Sequence, residues 1–380
     1  MGKRRYLAPW GRAAAAARAL GSSGTPPDPE ALAALEGKPA IYHCISRIVW
    51  RELALGTAEK EQFVRLMRKW EAFCKVRVLT FCVMTNHFHI LVEVPERPER
   101  DPSDGELLEH LGLVYGPRKL AEVRCELEHY RSQGNHAAAE ALRQRILRRM
   151  WDLSFFMRAL KQAYTKWFNK RHGKEGNLWQ DKFRSVLVED GHAARVVAGY
   201  IDLNPVRARI VGEAGAYRWS GWGEAVAGGK LAREGIRQVM LERELAVSHA
   251  PLARQEVSDW KKVQAGYREL MAEDEGTAWK PADLGNAAET DGGMLAGSGQ
   301  FRGRSRGIGG RGRMSEVELL QRRVRYFVDG MVIGTREFVD GAYVLTPGWF
   351  GKRRTSGARH IMRAETPLCS MRALRVRPLG

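Results

Sequence analysis

The stretch 76–94 constrains the fold more than any other part of the chain. Residues 76–84 and 87–94 read as two strands joined by Thr85-Asn86, a two-residue connection that makes them a hairpin candidate. On a strand, alternate residues share a face, so Phe88, Ile90, Val92 and Val94 form an apolar face for a core. His87 and His89 point the other way, with Leu91 and Glu93 beyond them. Two imidazoles two residues apart on one face make a preformed pincer for a metal ion. Most such pairs serve packing or surface roles, so the pair alone leaves both readings open.

The neighbouring patterns extend this hairpin into a fold. Residues 40–46 alternate and read as a first strand. Phe63, Leu66, Met67, Trp70 and Phe73 recur at helical spacing and predict a helix over 58–74, with Thr57 as its N-cap. Leu153, Phe156, Met157, Leu160, Tyr164, Trp167 and Phe168 form a second helical stripe, ending near His172-Gly173. A strand over 185–189 follows. Then comes a helix over 191–203, closed at Asn204-Pro205 because the residue before a proline resists the helical conformation. The order strand, helix, strand, strand, helix, strand predicts an α+β fold: a ferredoxin-like βαββαβ sandwich with an antiparallel four-stranded sheet and one added helix.

The catalytic-type domain would span 39–225, with a charged insertion at 96–149 opened by Pro95, Pro98 and Pro102. The insertion reads as polar helix that packs loosely or extends a binding surface. Residues 1–38 read as a disordered leader, 226–313 as helix followed by a Gly/Arg-rich linker, and 314–380 as a small, mostly irregular basic region. In that region residues 323–342 read as folded: Asp329-Gly330, set between apolar runs, predicts a hairpin, and Glu337-Phe338-Val339 follows it.

A net charge of +18 favours a polyanionic partner, most simply nucleic acid, because neutralising phosphates releases counterions. Residues 301–313 hold five Arg and five Gly, suited to sequence-tolerant nucleic-acid contact. Gly307, Gly309 and Gly312 match a dinucleotide-binding spacing, but no strand precedes them, and no Walker A pattern occurs, so no nucleotide cofactor is expected. Five cysteines without a C-x-x-C pair argue against a disulfide framework and suit the cytoplasm. No apolar run approaches 18 residues, so no membrane span is expected.

Tyr200 and Asn204 are four apart on the expected helix and share a face. A free phenol titrates at about 10 and is a poor nucleophile at neutral pH. Beside a two-His pincer, a divalent cation could offset the charge of its attack on phosphate. The plainer reading of Tyr200 alone is a half-buried helix tyrosine. Among rivals, Tyr164 lies on an apolar stripe and should pack in the core, and Tyr42 sits on the first strand. A zinc site of Cys82, His87 and His89 is a further alternative. Trp179, Phe183 and Arg184 lie in a Gly-opened loop where they would stack bases and hold phosphate, or where Trp179 would close the sandwich edge.

The runs M-T-N-H-F-H (84–89), Y-T-K-W-F-N-K-R (164–171), G-N-L-W-Q-D-K-F-R-S (176–185) and Y-I-D-L-N-P-V-R-A-R-I-V (200–211) resemble those of single-tyrosine HUH transposases. Within these the chain most resembles the REP-associated tyrosine transposases, over about residues 40–225. The resemblance implies a metal-dependent enzyme that cuts and rejoins single-stranded DNA near hairpins through a 5′-phosphotyrosine intermediate. It implies Tyr200 as nucleophile, and His87, His89 and Asn204 as ligands of Mg²⁺ or Mn²⁺. Trp179, Gln180, Lys182, Arg184 and Arg207 are the implied DNA contacts. Asn204 stands where insertion-sequence relatives carry Gln, and Lys182 where Arg is usual. A domesticated nucleic-acid-binding protein that has lost catalysis is the alternative.

Overall fold

The computed structural model describes residues 39–49, 55–241, 259–271, 314–315, 320, 326–329, 331–344, 354–361 and 364–372. The leader at 1–38 and the Arg/Gly segment at 301–313 lie outside them.

Four strands form the heart of the sheet: β1 (Ala40–Arg47), β2 (Arg77–Val83), β3 (His87–Val94) and β4 (Arg184–Val188). They pair antiparallel in the order β2-β3-β1-β4. The sheet does not stop there. β6 (Val332–Gly334) adds to β4 in parallel, followed by β9 (Cys369–Ser370) and β7 (Arg359–His360), to give a seven-stranded mixed sheet. Short β5 (Met314–Ser315) and β8 (Ala364–Glu365) pair separately. The expected four-stranded antiparallel sheet is therefore corrected. Leu187 and Glu189 donate to the carbonyls of Met331 and Ile333, so residues from the basic tail satisfy the backbone edge that β4 would otherwise present.

The tail differs from expectation in a second way. Tyr326–Asp329 is a helical turn, α11, and Arg336–Val344 is a helix, α12; Gly330 of the expected Asp329-Gly330 turn lies outside the described residues. Met331 takes a left-handed backbone (φ 61°) before β6.

One face of the sheet carries α1 (Thr57–Cys74), capped by Gly56 rather than Thr57, and α5 (Leu153–His172). Asp152 caps α5 by accepting from the amide of Phe155, and Gly173 ends it in the left-handed conformation. Between them α2 (Asp104–Gly112), α3 (Pro117–Ser132) and α4 (His136–Leu147) form the 96–149 segment. Leu107, Leu111, Leu127, Ile146 and Leu147 pack in one core with Phe63, Phe73, Phe88 and Phe156, so the segment is closely packed rather than loose. The opposite face is covered by α6 (His192–Asp202), α7 (Asn204–Arg207), α8 (Gly221–Val226), α9 (Lys230–Met240) and α10 (Trp260–Leu270). α6 is apolar nearly all round because it is sandwiched between the sheet and its neighbours. Among the described residues, no helix is long and apolar enough to cross a membrane.

Candidate active site

The β3 register puts His87 and His89 on the sheet face that α6 covers. Arg47 pairs with His87, and a single cross-strand row joins Arg184, Ile45, His89 and Cys82. Directly opposed residues share a face, so three strands deliver cations and imidazoles to one surface. The rings of His87 and His89 lie 5.1 Å apart, and Asn86 Oδ1 accepts from His87 Nδ1 at 2.7 Å.

A third histidine that sequence reasoning passed over completes the group. His43, on β1, stacks on His89 with centroids 5.1 Å apart, and their facing nitrogens are 2.9 Å apart. His43 Nδ1 reaches the carbonyl oxygen of Phe327 at 2.7 Å. Burial lowers His43 to about 4, and burial with the neighbouring His43, His87, Arg207 and Arg47 holds His89 well below its usual range. The signal was present in the alternation of Ile41, His43 and Ile45, but the register linking β1 to β3 is not written in either strand.

α6 brings Tyr200 to this cluster. Its ring lies 6.3 Å from those of His43 and His89 and 4.9 Å from that of Phe327. The Arg207 guanidinium sits 4.1 Å above the Tyr200 ring and donates to the carbonyls of Tyr200 (2.6 Å) and Leu320 (2.7 Å). Tyr200 is 4% exposed, beneath this cover. Asn204 opens α7 rather than continuing α6, and its Nδ2 donates back to the carbonyls of Tyr200 and Ile201.

The other sequence candidates separate. Trp179 is largely buried among Phe63, Phe88 and Tyr164, and its indole N–H donates to Thr165 Oγ1. Gln180, Lys182 and Arg184 are exposed. The Gln180 amide donates to the Arg47 carbonyl, which ties the 176–183 loop to the histidine end of β1. Beside that loop, a cavity of about 620 Å³ is lined by Arg158, Lys161, Lys166 and Lys182 over a floor of Met157, Trp179 and Phe183. Tyr164 is buried and donates to the Glu59 carbonyl, and Tyr42 points into the core on the other face. Cys82 donates to Met84 Sδ, and burial pushes its thiol well up. Among the described residues, no three His, Cys, Asp or Glu side chains stand in a metal-holding group. A site of His87, His89 and Asn204 would offer two imidazole nitrogens and an amide oxygen, a softer set than the all-oxygen one Mg²⁺ prefers.

No family model and no curated protein matches the chain. Among solved structures, that of a REP-associated tyrosine transposase bound to a REP hairpin is similar at a TM-score of 0.32 and 16% identity, over 50% of this chain and 81% of that one.

Proposed function

We propose that the chain cuts and rejoins single-stranded DNA beside hairpins, with Tyr200 as nucleophile. The observation that carries this reading is the gathering of His87, His89 and Tyr200, more than a hundred residues apart in sequence, into one cluster of ring contacts. Arg47, paired with His87, and Arg207, over Tyr200, bring positive charge suited to phosphate.

In this reading the Tyr200 oxygen gives up its proton to solvent and attacks the scissile phosphorus. A bond forms between that oxygen and phosphorus as the bond to the 3′ oxygen breaks. The 3′ oxygen takes up a proton, and the 5′ end stays on the protein as a phosphotyrosine. Attack by a 3′-hydroxyl reverses the step, so rejoining needs no ATP. His87, His89 and Asn204 would hold a divalent cation, which when bound would polarise the phosphate and offset its charge. The cavity lined by Lys182 of the 176–183 loop and by Arg158, Lys161 and Lys166 of α5 adds cations beside that loop, which meets β1 at Arg47, so a strand crossing it would approach the histidine end of the sheet.

The burial of Tyr200 favours a second reading, a protein that holds nucleic acid without cutting it. One assay separates the two. Protein is incubated with labelled single-stranded hairpin DNA and Mn²⁺, and covalent adducts are resolved on a denaturing gel. Wild type should form an adduct and Tyr200→Phe none. Binding without any adduct across hairpins from the source genome would leave only the second reading. Equal cleavage by Tyr200→Phe would remove Tyr200 as nucleophile.

A further inference from the structure

We infer that His43 is a positioning residue that fixes the tautomer of His89, with the main-chain carbonyl of Phe327 as the anchored end of the chain. This inference rests on the proposed role of His89 as a ligand. A carbonyl oxygen only accepts, so the 2.7 Å contact to Phe327 requires the proton of His43 to be on Nδ1. A neutral imidazole carries one N–H, so His43 Nε2 presents a lone pair to His89 Nδ1 at 2.9 Å. Two lone pairs do not face each other at that separation, so His89 carries its proton on Nδ1. Its Nε2 is then the electron-pair donor, the nitrogen a metal ion needs.

The direction of this chain is set at the one end that cannot reverse. Were Nδ1 of His43 in contact with a hydroxyl or a carboxyl group, either tautomer could be accommodated. A peptide carbonyl allows one. His43 is fully buried against an imidazole and a peptide carbonyl, neither of them a counter-ion for a second proton, so the neutral relay persists. Phe327 is 284 residues from His43, so the C-terminal segment supplies a polar group to a site whose other residues come from much earlier in the chain. The same residue packs its ring on Tyr200. The segment thus adds a strand to the sheet and also orders the imidazole beside the candidate nucleophile.

The test uses the full chain labelled with ¹⁵N-histidine. Long-range ¹H–¹⁵N correlation spectra distinguish protonated from bare ring nitrogens, and the ten histidines are assigned with His43 and His89 variants. The wild-type spectrum, recorded without metal, should show Nδ1–H and bare Nε2 for both His43 and His89. An Nε2–H tautomer at His89 would overturn the inference. In a second arm, Mn²⁺ binding is titrated by electron paramagnetic resonance. His43→Leu should weaken binding roughly ten- to a hundredfold. His43→Gln, whose amide oxygen can still accept from His89, should restore most of it. Unchanged affinity in a folded His43→Leu would also overturn it. Wild type that shows the expected tautomers but binds no Mn²⁺ would instead remove the metal from the proposed function, leaving the tautomer assignment intact.

Discussion

Asp202 shows how a single residue can tie the site's helix to the sheet. Fully buried at the end of α6, it accepts from Thr80 Oγ1, the Trp222 amide and the Tyr267 hydroxyl. A buried charge is tolerated only when its hydrogen bonds are made. Asp202→Ala would leave three donors without an acceptor and should cost about 3 kcal/mol of stability. Asp202→Asn, which keeps one accepting oxygen, should lose less. Urea denaturation followed by circular dichroism reads both, and a loss under about 1 kcal/mol for the alanine variant would show that water replaces the carboxylate. At this scale the sequence is legible where parity suffices. The shared face of His87 and His89, the opposite face of Phe88 and the core position of Tyr164 all follow from local spacing. His43 and Asp202 escaped because their meaning lies in partners that local spacing does not name.

Among the elements, α9 is set unusually close to β2. A Cβ on Gly235 would run into the backbone carbonyls of Val78 and Leu79, beside the irregular register between Val78 and Thr80. Gly235→Ala must therefore push the helix off the strand and should cost about 2 kcal/mol. A thermal melt within a degree of wild type would mean that the helix shifts freely. α2 to α4 teach a related lesson. Their polar composition suggested loose packing, yet Val123 and Leu127, and Leu142 and Ile146, are each four apart and present one apolar stripe to the core. Periodicity was the better guide than composition. In the tail, Thr335 Oγ1 accepts from the Phe338 amide and starts α12.

For the molecule as a whole, the C-terminal strands decide the edge of the sheet. A chain ending at residue 313 would return β4 to an edge and release the amides of Leu187 and Glu189 from Met331 and Ile333. Hydrogen exchange at those two amides should then quicken at least about tenfold, while Phe88 and Ile90 in central β3 keep their protection. Unchanged exchange at Leu187 would mean that β6 does not hold β4 in solution. What the sequence by itself determined was the type of each early element and the face each residue takes, because a period of two or of 3.6 is set by backbone geometry within a few residues. Only the tertiary structure decided that β4 takes a parallel partner from the tail, that His43 meets His89, and that Phe327 closes over Tyr200. The shortest of those pairings, His43 with His89, already spans 46 positions, and all are chosen by competition among packed arrangements of the whole chain, which no local pattern encodes.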